Sequence, residues 1–244
     1  MSDVTLNNVI TLMSTEHHIL NLGTYTMTAA SGKDAIEILP KGVGTAAKQC
    51  LTINADATTP GGITASGKSC IYYYNSEKIN DRMMITINGG VFNGSYAINQ
   101  LTGPKNVLGF VSSPLRGQGA AYCVINGGTF NAQVSLNAGM LKVTGGVFHK
   151  NLTCYGDSTA YRLISGGRFK SMTMTADAEG KFTVGTAKSV YDVGLYVDEE
   201  GYLVVGGPVI TADRAGEFSK KESYSKWSSY LKYSSAAEHG LYYK

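Results

Sequence analysis

Charge is scarce in this chain. Asp, Glu, Lys and Arg together make up 16% of its 244 residues, against about a quarter in an average soluble domain. So charge-poor a composition, with 43% apolar residues, excludes a disordered chain and a charged coiled coil. Proline is rare, with 5 residues, and tryptophan occurs once. No apolar run approaches the ~18 residues that a membrane-spanning helix needs. Met1-Ser2-Asp3-Val4 opens no basic segment followed by an apolar stretch, so no secretory leader is legible. The 21 basic and 18 acidic residues leave a net charge of +3, too small to point to nucleic acid. Only 4 cysteines occur, Cys50, Cys70, Cys123 and Cys154. They lack the close pairs of a zinc site. Two disulfides are arithmetically open, but we prefer four small core residues.

What is abundant is glycine, with 30 residues. Without a collagen period, that abundance directs the reading towards an all-β chain rich in turns. A phrase recurs around paired glycines. It reads Ile85-Thr86-Ile87-Asn88-Gly89-Gly90-Val91-Phe92, then Cys123-Val124-Ile125-Asn126-Gly127-Gly128-Thr129-Phe130. It returns as Leu141-Lys142-Val143-Thr144-Gly145-Gly146-Val147-Phe148 and as Arg162-Leu163-Ile164-Ser165-Gly166-Gly167-Arg168-Phe169. A degenerate copy follows at Leu203-Val204-Val205-Gly206-Gly207-Pro208-Val209. The first glycines are spaced by 38, 18, 21 and 40 residues. Two spacings near 20 and two near twice that suggest a repeating unit of about 20 residues, some units lacking the full phrase, which is a solenoid signature.

Alternation before the glycines predicts a short strand with one buried face. The glycines permit a bend that a Cβ would block. The phenylalanine after them is placed to turn inward, so Phe92, Phe130, Phe148 and Phe169 form an internal ladder. Weaker strands read at Ile19–Met27, Ala35–Ile38, Cys50–Asn54, Gly62–Thr64 and Cys70–Asn75. Residues 102–120 break the rhythm with Gly103-Pro104 and Ser113-Pro114, marking an enlarged loop that carries Arg116. Ten coils over residues 19–215 would make a rod about 50 Å long.

This pattern resembles the right-handed parallel β-helix of the pectin lyase-like type. The Ile-Asn-Gly-Gly-x-Phe phrase is similar to repeats of large bacterial surface proteins and of bacteriophage structural proteins. The resemblance implies a right-handed parallel β-helix over residues 19–215, between an N-terminal cap at residues 1–18 and a C-terminal helical or irregular cap at residues 216–244. For the first cap, Val4, Leu6, Ile10 and Leu12 suit a covering strand, and Leu6, Val9, Ile10 and Met13 suit a short helix nearly as well. For the second, Ser219 and Glu222 have capping-box spacing. Tyr224, Trp227, Tyr230 and Tyr233 recur every three residues, as on one side of a helix that Gly240 would stop. We read this stripe, with Arg116, as an interface or glycan contact, and favour packing over sugar binding.

An enzyme of the resembling type would need clustered carboxylates. Asp198-Glu199-Glu200 reads as a solvated turn, and Asp34 with Glu37, or Glu77 with Asp81, are isolated pairs. His17, His18, His149 and His239 have no partner at metal-ligand spacing and read as surface histidines. The glycine pairs lack the Lys-Ser/Thr ending of a phosphate loop. No catalytic residue, cofactor or metal is expected. The expected role is a non-enzymatic virion protein: a capsid decoration, head fibre or tail spike. It would form a homo-oligomer, a trimer by preference, and bind other virion proteins or a host-surface glycan, with no nucleic acid or membrane partner. A bacterial cell-surface adhesin segment and a polysaccharide lyase or hydrolase are the alternatives. Neither leader nor wall anchor is visible, which favours the virion over the cell surface.

Overall fold

The computed structural model describes residues 2–13, 16–39, 47–75, 82–102, 122–136, 140–154, 162–174, 183–184, 195–197, 200–205 and 231–233. Among these the chain is all-β, with no helix and with eighteen strands in one large, mostly parallel sheet. The arrangement is compatible with a solenoid.

The strands fall into three ladders. The first runs through β1 (Val4–Thr5), β4 (Thr26–Thr28), the starts of β7 (Gly62–Asn75) and β9 (Val91–Thr102), β11 (Thr129–Phe130), and the middles of β13 (Met140–Cys154) and β14 (Arg162–Met174). The second takes β2 (Ile10–Met13), β5 (Ile36–Leu39), the ends of β7 and β9, β12 (Gln133–Leu136), the ends of β13 and β14, and β18 (Leu231–Tyr233). The third takes β3 (His18–Asn21), β6 (Ala47–Asn54), β8 (Arg82–Ile87), β10 (Tyr122–Ile125), the starts of β13 and β14, and β15 (Thr183–Val184).

Alternation decides which side chains go inside. Ile85 and Ile87 are buried while Thr86 between them is half-buried, and Ile36 and Ile38 flank the half-buried Glu37 in the same way. Parallel pairing in register then stacks like on like. Leu20, Ile53, Ile87, Ile125, Val143 and Ile164 form one column, and Ile36, Ile71, Ile98, Val134, Leu152 and Met172 another. All but the half-buried Leu20 are buried.

Several expectations are corrected. The 38 residues between Gly89 and Gly127 span one step of the stack and not two, because Phe92 pairs directly with Phe130. The connection between neighbouring strands is simply longer there than in the 18- and 21-residue steps that follow. The second ladder accordingly holds eight strands among the described residues. At ~4.8 Å per step these described strands make a stack of roughly 34 Å. The degenerate copy is not a further parallel unit. Its Leu203–Val205 (β17) runs antiparallel to Gly167–Phe169 and to β16 (Leu195–Val197). At the N-terminus the strand alternative is the one seen: Val4–Thr5 and Ile10–Met13 are strands that enter the ladders, and no helix forms over Leu6–Met13. Near the C-terminus, Leu231–Tyr233 is a strand parallel to Met172–Met174, within the segment expected to be a helical or irregular cap. For these three residues the edge of β14 offers backbone partners.

Candidate functional site

The four phenylalanines meet as the repeat predicts. Phe92, Phe130, Phe148 and Phe169 occupy one register position on adjacent strands and are fully buried. Their rings stack with centroids 5.0, 4.5 and 4.7 Å apart and interplanar angles of 7°, 6° and 12°. The spacing is that of the strands themselves. Met27 and Ile63 continue the column at one end, and Leu203 lies opposite Phe169 at the other.

The two glycines of each pair serve different needs. The second, Gly90, Gly128, Gly146 or Gly167, has φ between 107° and 122°, a region that side chains avoid. The first lies under the carbonyl of the preceding strand. A Cβ at Gly127 would sit 2.9 Å from the Asn88 oxygen, and one at Gly145 would sit 2.5 Å from that of Asn126. A Cβ on Gly166 would collide with the Thr144 carbonyl. Gly89 differs, because its nearest neighbour is Ala55 at 3.6 Å, ordinary contact.

The same phrase holds a feature that reading it as strand and turn passed over. Asn88 and Asn126, which precede the first two glycine pairs, join an external amide ladder with Asn21 and Asn54. Asn54 Nδ2 donates to Asn21 Oδ1 at 2.8 Å, Asn88 to Asn54 at 2.8 Å and Asn126 to Asn88 at 2.9 Å; the Thr144 hydroxyl then donates to Asn126 Oδ1 at 2.8 Å. A shorter row joins Asn131 Nδ2 to Asn93 Oδ1 at 2.8 Å. The recurrence of Asn before Gly-Gly was the available signal.

Charged and aromatic groups converge beside β17. Gly201, at φ 76°, turns the chain so that Tyr202 lies against the outer side of β13 and β14. The Arg168 guanidinium stands 4.0 Å from the ring centroid and the Lys170 ammonium 4.8 Å. His149 meets the ring edge-on, its Nδ1 2.7 Å from the Tyr202 hydroxyl. Arg168 also pairs with the Glu200 carboxylate at 3.0 Å. His149 is thus half-buried and bonded where a plain surface histidine is expected, whereas Glu200 is the exposed turn residue that the sequence suggests, its carboxylate reaching Arg168 across the surface. The cluster fastens the β16–β17 hairpin over the last phenylalanine. Its interactions are the cation–π and hydrogen-bond kinds that hold two segments together.

Other polar groups are spent locally. His17 Nε2 lies 3.0 Å from the Thr52 hydroxyl oxygen, and His18 lies 3.6 Å from Glu16. Cys50, Cys70 and Cys123 are buried, as the core reading expects. Burial pushes the Cys50 and Cys70 thiols up to about 12. Among the described residues no group of three or more His, Cys, Asp or Glu could hold a metal ion. Arg116, Tyr224, Trp227 and Tyr230 lie outside the described residues, and Tyr233 is described only by its backbone in β18. Comparison with protein-family models, with curated proteins and with solved structures found no match to this chain.

Proposed function

We propose that this chain is a right-handed parallel β-helix acting as a non-enzymatic structural protein of a bacteriophage virion, as a capsid decoration, head fibre or tail spike. The observation that supports this best is the unbroken column of stacked, fully buried phenylalanines, flanked outside by a row of mutually bonded asparagines. Such a stack gains stability from each neighbouring unit and resists bending, which suits rigid presentation. The side chains of the Tyr202 cluster bind one another, which fits a fastening role better than a reaction centre.

In this reading the chain assembles as a homo-oligomer, a trimer by preference. Tyr224, Trp227, Tyr230, Tyr233 and Arg116 make the contacts to sister subunits, virion proteins or a host glycan. Purified particles of the encoding phage, probed with antibody to this chain and by peptide mass spectrometry, should contain it in fixed stoichiometry. A Trp227→Ala, Tyr230→Ala double variant should lose incorporation while its circular dichroism stays that of the parent. Absence of the chain from particles, or release of unsaturated or reducing sugar ends from acidic polysaccharides, would overturn the assignment.

A further inference from the structure

Asparagine followed by glycine is a chemically weak point of a chain, because the glycine nitrogen, unhindered by a Cβ, can attack the asparagine Cγ. A nitrogen–carbon bond forms and ammonia leaves. Water then opens the resulting cyclic imide to aspartate or to an isoaspartyl link, which lengthens the main chain by a carbon. The sequence holds three such pairs, Asn88-Gly89, Asn93-Gly94 and Asn126-Gly127. All three asparagines lie in the outer rows, and each side chain is engaged through both its nitrogen and its oxygen. Asn88 donates to Asn54 at 2.8 Å and accepts from Asn126 at 2.9 Å, and Asn126 in turn accepts from the Thr144 hydroxyl at 2.8 Å. Asn93 accepts from Asn131 at 2.8 Å and reaches the Thr64 hydroxyl at a longer 3.4 Å.

Burial does not shield these groups, since Asn88 and Asn126 are exposed. Their main-chain amides already donate to the Ile53 and Ile87 carbonyls at 2.9 and 2.8 Å. Cyclisation therefore needs the side chain to rotate towards the glycine nitrogen. We infer that the outer rows lock the three Asn-Gly pairs against this modification: a side chain has to break out of its row before it can cyclise. The pairs stay intact while the strands are stacked and convert where a row is broken. The inference goes beyond the virion role and needs only the register of the described strands. What the lock protects is that register. A carboxylate at position 126 faces the Asn88 oxygen with no hydrogen to donate, and an isoaspartyl link there inserts a carbon between Ile125 and Phe130, two residues fixed in adjoining ladders.

The experiment ages the full chain at pH 8 and follows each pair by peptide mass spectrometry, which separates the amide from the acid products. Conversion at Asn88 and Asn126 should be at least about tenfold slower in the folded chain than in urea, two hydrogen bonds being lost there. Thr144→Val removes the hydroxyl bonded to Asn126 and keeps the shape of an exposed strand residue. It should speed conversion at Asn126 about fivefold, the worth of one bond, and leave Asn93 at the parental rate. Asn54→Ala should do the same to Asn88. Asn54→Asp keeps an acceptor for the Asn88 amide, and Asn21, at the end of the row, can turn its own amide to donate, so Asn88 should stay near the parental rate. Parental conversion at Asn126 in Thr144→Val and at Asn88 in Asn54→Ala would overturn the inference. So would equal acceleration at all three pairs with a lowered melting temperature, because a loosened main chain, and not the broken row, would then set the rate.

Discussion

Phe148 has an aromatic neighbour on both sides, at 4.5 and 4.7 Å, whereas Phe92 has one, at 5.0 Å, with Ile63 on its other side. Leucine at either site keeps most of the volume and removes the ring. A stacked pair contributes about 0.5–1.5 kcal/mol beyond its buried area. Phe148→Leu therefore gives up about 1–3 kcal/mol of stacking and Phe92→Leu about half of that, with a similar packing mismatch of under ~1.5 kcal/mol in each. The difference of roughly 1 kcal/mol corresponds to about 2–4 °C in melting temperature for a domain of this size. Thermal melts followed by circular dichroism should rank the parent above Phe92→Leu, and Phe92→Leu above Phe148→Leu. Phe148→Ala should lie lowest, by about 3–5 kcal/mol from the parent. Equal melting of the two leucine variants, or a parental melt for Phe148→Ala, would refute the idea that the rings form one column.

The glycine pairs yield a second contrast. Gly145→Ala pushes a methyl against the Asn126 carbonyl and should cost about 1–3 kcal/mol. Gly89→Ala has room and should be neutral or stabilising by up to ~1 kcal/mol. Urea unfolding midpoints separate the two. Gly127→Val should reduce soluble, folded yield, and a parental melting curve would refute that. Cys50 and Cys70, with thiols pushed up to about 12 by burial, should resist iodoacetamide at pH 8 in the folded chain and react once it is unfolded, as peptide mapping would show. The Asp56 carboxyl accepts the Thr59 and Thr58 amides and the Thr58 hydroxyl, which lower it to about 2. A folded value below the ordinary aspartate value near 4 means that its support for the turn is present above about pH 4 and is lost as pH falls through about 2. The Asp56 carboxyl carbon, followed by NMR, should titrate near 2, and an ordinary midpoint near 4 would contradict those bonds.

The internal ladder was legible because one rigid phrase carries strand, bend and ring at constant offsets, so four copies align by inspection. Step length was not. A connection can lengthen without moving the strands it joins, so the 38 residues before Gly127 imitate two units while the register of Phe92 and Phe130 makes them one. Strand direction was hidden as well, since alternation at Leu203–Val205 looks the same whether the chain runs parallel or antiparallel to Phe169. The Tyr202 cluster joins residues up to 53 apart in sequence, and nothing local in Tyr202 marks the histidine and cations it meets. Asn88 and Asn126 stood in plain view before the first two glycine pairs, but their row acquires meaning only when strands are stacked in register. The tyrosine period ahead of Gly240 suits a helix, whereas Leu231–Tyr233 pairs with the edge of β14, an outcome that only the neighbouring strand decides.

The register of Phe92 with Phe130 carries the whole architecture, and selectively labelled phenylalanine rings report it directly. Through-space NMR contacts should connect the ring protons of Phe92 with those of Phe130, of Phe130 with Phe148, and of Phe148 with Phe169, each pair one strand spacing apart. Contacts within the last two pairs but none between Phe92 and Phe130 would place an extra strand between them and contradict the account.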